Sequence, residues 1–123
     1  MTVANKKETA NKAVAIAPAI DRDKLMIEEL RADPDYAELY LKTALEEINQ
    51  EGGLGGFLIA LRRVLEARGG ISEAAKKTGL ARQSIYRALS EKGNPTITTL
   101  AQLASVAGLQ LTLSKAPHWN SDK

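Results

Sequence analysis

Arg82, Gln83, Ser84, Tyr86 and Arg87 place five hydrogen-bonding side chains within six consecutive positions. The planar Arg fork can pair bidentately with guanine and the Gln amide with adenine, each good pair contributing ~1–3 kcal/mol of discrimination. Residues 71–95 carry five Lys and Arg against two Asp and Glu, a local net charge of +3. Basic surface of that kind suits a polyanionic partner. Bond-making chemistry has less to work with. There is no cysteine, which excludes disulfides, thiolate metal sites and a Cys nucleophile. The one histidine, His118, stands beside Trp119 in a polar tail and is assigned no chemistry. A single histidine leaves no His-based metal cluster and argues against a Ser-His-Asp site. No activated nucleophile, phosphate-cradling loop or pair of carboxylates at a plausible site can be picked out. These residues predict a binding protein rather than an enzyme, with no cofactor and no metal.

The elements that must position them lie in residues 71–90. Ser72 reads as the cap of a short helix through Thr78, with Glu73 in its first turn. Gly79 is placed to take the left-handed conformation that closes it. A second helix runs from Arg82 to about Ser90 with Ile85 and Leu89 inward. Two helices crossing steeply over a short turn need a small residue at the contact and a turn residue that tolerates positive φ. They also need a branched apolar residue to plug the angle. Ala75, Gly79 and Ile85 supply these in order.

Residues 1–20 are rich in Ala, Lys, Asn and Thr without a helical apolar stripe, which predicts an arm that is mobile or ordered by a partner. Leu25, Ile27 and Leu30 suggest one or two helical turns. In Asp33-Pro34-Asp35, Asp33 suits an N-cap, Pro34 the first helical position, and Asp35 the positive end of the helix dipole. The helix that follows carries a wide apolar stripe through Tyr36, Leu39, Tyr40, Leu41, Ala44, Leu45 and Ile48. Gly52-Gly53 and Gly55-Gly56 are expected to stop it. Phe57, Leu58, Leu61, Val64 and Leu65 mark the next helix, over residues 57–68, with Arg62, Arg63, Glu66 and Arg68 outward and Gly69-Gly70 at its end. Gly93-Asn94-Pro95 is a turn signal. Thr96 caps a final helix whose apolar face ends at Ala107, closed by Gly108. Leu109, Leu111 and Leu113 then alternate with polar residues, the period of a short strand or extended edge.

Of 123 residues 44% are apolar but only 4% aromatic, so the core must be Leu, Ile, Val and Ala, which points to helices. The length suits one domain plus an arm. No apolar run approaches a membrane span. Residues 14–20 are too short and alanine-rich for a signal peptide, and a soluble cytoplasmic protein is expected. The net charge of +2 conceals a division. Residues 1–50 hold 7 Lys and Arg against 10 Asp and Glu, a net −3; residues 51–123 hold 10 against 5, a net +5. An acidic half joined to a basic half suggests one nucleic-acid and one protein partner.

Residues 57–113 resemble the five-helix DNA-binding domain of the Xre/Cro-like repressors, with the helix-turn-helix signature at Ala75, Gly79, Leu80 and Ile85. The phrase Gly79-Leu80-Ala81-Arg82-Gln83-Ser84-Ile85-Tyr86-Arg87-Ala88-Leu89-Ser90, followed by Glu91-Lys92-Gly93-Asn94-Pro95, is closer still. With the upstream Asp33-Pro34-Asp35-Tyr36 and Tyr40-Leu41, it resembles the addiction-module antidote proteins, the HigA-like antitoxins of RelE/HigB-type modules. That likeness covers residues 24–114. It implies an all-α fold with four parts. They are a flexible arm (1–23), a helical extension for partner binding or dimerisation (24–52), an Xre/Cro-like (lambda-repressor-like) domain (53–114) and a tail (115–123). The helix-turn-helix core would be Ala75, Gly79, Leu80, Ile85 and Leu89, and a short extended strand would follow the last helix.

In such domains the N-terminal part of the second helix enters the major groove. That makes Arg82, Gln83, Ser84, Tyr86 and Arg87 the base-reading set, Gln83 and Arg87 foremost. Ser72, with the N–H groups of its helix, and Lys92, Asn94 and Thr96 are the phosphate candidates. Lys76 and Lys77 form a secondary basic patch. Ala81 stands where the family has Ser or Thr; it cannot cap, a loss of ~1 kcal/mol. Tyr36, Tyr40 and Leu41, with Leu109, Leu111 and Leu113, are the candidate partner interface. The resemblance implies an antitoxin that neutralises a small basic RelE/HigB-like RNase toxin. It would also repress its own operon, as a homodimer on an inverted repeat of double-stranded DNA. The alternatives are a stand-alone phage-like repressor and an interaction module that has lost DNA binding.

Overall fold

The computed structural model describes residues 19–117. Its elements are α1 (Ala19–Ala32), α2 (Pro34–Glu46), α3 (Gly53–Ala67), α4 (Gly70–Thr78), α5 (Arg82–Ala88) and α6 (Ile97–Val106). The fold is all-helical among the described residues, as the aromatic-poor apolar composition predicts. Residues 1–18 of the expected arm, and His118 and Trp119, lie outside the described residues. Among those described, no helix is long and apolar enough to cross a membrane.

α3 is the central element. Phe57, Leu58, Leu61, Val64 and Leu65 are all buried, and the helix packs against α1, α2, α4 and α6. Each such side chain contributes ~1.5–3 kcal/mol on leaving water. The core is one cluster that includes Met26 and Leu30 of α1, Ala37 and Leu41 of α2, and Ile71, Ile85, Leu89 and Leu103 downstream. The N-terminal helices and the α4–α5 region therefore share a single apolar interior.

The first and third helices differ from expectation. α1 is a full helix of 14 residues rather than one or two turns, because Met26 and Leu30 reach the core one turn apart. α3 begins at Gly53, not Phe57. Glycine is poor in helices, yet Gly55 is buried where the chain after α5 crosses it. A Cβ there would lie 2.7 Å from the Glu91 carbonyl oxygen. Close packing overrides local propensity at this point. The expected strand at Leu109, Leu111 and Leu113 is absent: residues 109–116 form neither helix nor strand. Leu111 is 39% exposed and Leu113 fully so. A period-two pattern needs a neighbouring strand to become a ladder, and the described chain offers none.

A polar clamp fixes α1 and α2 to α3. Arg62 Nη2 and Arg63 Nε both donate to Asp23 Oδ1, at 2.8 and 2.6 Å. Arg63 Nη1 also donates to the Tyr40 hydroxyl at 3.0 Å, and Arg62 Nη1 to Glu66 Oε2 at 2.7 Å. Burial alone would raise the Asp23 pKa; the hydrogen bonds from Arg62 and Arg63 outweigh it and hold the carboxyl below its usual range. Arg62 and Arg63 are thus tertiary contacts, not the wet side of a helix.

Candidate nucleic-acid interface

α4, the turn at residues 79–81 and α5 form the expected pair of short helices, and α5 packs on α4. Gly79 takes φ +79 and its amide donates to Ala75 O at 2.9 Å. The turn is further wired by Thr78, whose hydroxyl donates to Ala74 O at 2.8 Å and accepts from Leu80 N at 3.2 Å. Sequence reasoning missed Thr78; its place just before the turn glycine was the available signal. Ile85 and Leu89 are fully buried, and Leu80 and Ala75 pack half-buried against the same cluster. α5 is therefore held by its inner face alone.

Its outer face is free. Arg82, Gln83, Ser84, Tyr86 and Arg87 are all exposed. Neither arginine joins an ion pair among the described residues, so both guanidiniums point uncompensated charge outward. Ala81 is the N-cap of α5 and makes no side-chain capping bond, as its methyl requires. The leading amides of α5 are left without a side-chain oxygen, open to an anion.

The flanking candidates are distributed unevenly. Lys92 and Asn94 are exposed in the loop after α5. Thr96 is exposed and caps α6, its hydroxyl oxygen accepting from Thr99 N at 3.1 Å. Ser72 is not a cap. α4 starts two residues earlier, at Gly70, with Gly69 as N-cap. Gly69 and Gly70 take φ +110 and +91, a chain reversal that only glycine makes without strain, so the helix begins before the serine. Ser72 remains exposed in the first turn of α4. Lys76 and Lys77 are exposed nearby, with Lys77 Nζ 4.0 Å from Glu73 Oε1.

The candidate interface residues separate into two groups. Tyr36 and Tyr40 are half-buried with ring centroids 6.0 Å apart, and Leu41 is buried in the core. Leu109 packs half-buried on the core, while Leu111 and Leu113 are exposed beyond it.

Comparison with known proteins adds an independent finding. The sequence profile of a family described as "Probable addiction module antidote protein" matches residues 23–115. The chain is also 33% identical over 96 residues to an uncharacterized protein of Haemophilus influenzae, an alignment covering 74% of this chain and 97% of that protein. No solved structure matches significantly.

Proposed function

The chain belongs to the probable addiction module antidote protein family, and from that premise we propose that it is a non-enzymatic antitoxin with two binding activities. One neutralises a small, basic RelE/HigB-like RNase toxin. The other represses the module's own operon through an Xre/Cro-like helix-turn-helix formed by α4 and α5. Residues 53–114 would be the DNA-binding part and residues 24–52 the extension that meets a partner.

The observation that carries the DNA half is the two-sidedness of α5. Ile85 and Leu89 are 0% exposed, while Arg82, Gln83, Ser84, Tyr86 and Arg87 face solvent, the two arginines joining no ion pair among the described residues. An α-helix presented in this way fits the major groove. Gln83 and Arg87 read bases, Arg82 is shared between base and phosphate, and Ser72, Lys92, Asn94 and Thr96 hold the backbone. One short helix reads too few bases, so the protein acts as a homodimer with its recognition helices about 34 Å apart, one turn of DNA. The toxin half is supported by family membership and by the acidic N-terminal half, which suits a basic partner.

The test is co-expression with the product of the adjoining reading frame. A complex that co-purifies, together with restored growth, supports the antitoxin reading. No complex and no rescue would refute it.

A further inference from the structure

Away from α4 and α5, several apolar side chains stay exposed, Leu39, Leu54 and Ile97 among them, and two more, Leu45 and Leu111, share one groove. A groove of about 540 Å³ runs between α2, α6 and the extended segment after Gly108. Its floor is Phe57 and Leu61 of α3, 4% and 1% exposed. Leu45 and Leu111 stand on its opposing walls, 41% and 39% exposed, more than such side chains show in a finished core. Glu38 and Glu46 sit on the rim, with Lys42 between them on the same face of α2. Residues 34–51 carry five acidic side chains against this one lysine, a net −4, and all six are exposed; the three that line the groove, Glu38, Lys42 and Glu46, sum to −1.

The wall formed by residues 110–114 is incomplete. The Leu109 amide donates to Ala104 O at 2.9 Å, and among the described residues no later backbone group makes a backbone hydrogen bond. The segment offers a guest peptide groups that have no backbone partner among the described residues.

We propose that this groove is the docking site of the toxin, which inserts an apolar side chain flanked by Lys or Arg between Leu45 and Leu111. The inference rests on the antitoxin reading above. Charge selects the occupant. A second copy of this chain related by two-fold symmetry would bring the same patch against itself, setting acidic rim against acidic rim. Like-charge contact of that kind is unfavourable, whereas a basic toxin finds complementary carboxylates beside the exposed Leu45 and Leu111. No residue of α5 lines the groove, so toxin and DNA occupy different faces.

The test is calorimetric titration of the full chain with the product of the adjoining reading frame. The variants are Glu38→Lys with Glu46→Lys, Leu45→Glu, and Lys42→Glu. The first two should each weaken binding at least about tenfold, and Lys42→Glu should tighten it. Their far-UV circular dichroism and operator binding should match the wild type. Wild-type binding that all three variants leave unchanged would overturn the docking site while the antitoxin reading stands. A shift of the free variants from dimer to monomer, with toxin affinity unchanged, would assign the groove to a second copy and overturn it equally. Absence of wild-type binding would remove both.

Discussion

Two adjacent glycines in the first turn of α3 should respond to alanine with opposite signs. A Cβ on Gly56 meets nothing within 4 Å, and the residue is exposed. Gly56→Ala therefore removes only the entropy that glycine loses on folding, and should stabilise by ~0.5–1 kcal/mol. A Cβ on Gly55 would lie 2.7 Å from the Glu91 carbonyl oxygen and 3.2 Å from Glu91 Cγ. Ordinary carbon–oxygen contacts lie at about 3.3 Å or more, so the backbone after α5 must retreat by roughly 0.6 Å. Overpacking against backbone costs ~1–3 kcal/mol, which exceeds the propensity gain of ~0.5–1 kcal/mol. Gly55→Ala should therefore destabilise by ~0.5–2 kcal/mol. Thermal unfolding followed by circular dichroism resolves both, since 1 kcal/mol corresponds to roughly 4–8 °C in Tm for a domain of about 100 residues. The displaced loop carries Lys92 and Asn94, so Gly55→Ala should also weaken operator binding and Gly56→Ala should not. A higher Tm for Gly55→Ala, or parallel shifts in the two variants, would refute the reasoning.

Asp23→Asn keeps the shape of the clamp but removes its charge, and should cost ~1 kcal/mol near neutral pH after allowance for its partial exposure. Because the folded Asp23 pKa lies below its ordinary value, its contribution is full above that value and fades as pH falls through the folded one. Urea midpoints of wild type and variant should converge in acid; a constant gap would contradict the ion-pair account. Ile85→Ala empties a fully buried site under α5 and should cost ~2–5 kcal/mol in urea unfolding. Thr78→Val leaves the Leu80 amide without its acceptor and should cost ~1–2 kcal/mol by the same assay.

What the sequence could disclose was local. The Asp33 cap accepts from Tyr36 N at 3.3 Å, Thr96 caps α6, and Gly79 closes α4. Each depends on residues within one turn. Two of the misreadings turned on distant partners. Gly53, Gly55 and Gly56 looked like a stop because the crossing of Gly55 by residue 91 is invisible in a window of a few residues. Arg62 and Arg63 looked solvated because Asp23 lies about forty positions upstream. Ser72 has the right chemistry for a cap, but the two preceding glycines reverse the chain first. The outward set on α5 was readable because Ile85 and Leu89, four apart, fix which face turns inward, and the other positions follow. The groove beside α2 was not readable, since its walls come from three separated segments.

The most direct measurement is fluorescence anisotropy of a duplex carrying the chain's own promoter, titrated with the full chain across a range of salt. The account predicts specific binding that weakens steeply with salt. Arg87→Ala should lose ~1–3 kcal/mol and discrimination at one base position, while Lys92→Ala weakens every duplex alike. Equal affinity for a scrambled duplex, or no binding at low salt, would contradict the assignment of α4 and α5 as the DNA-reading unit.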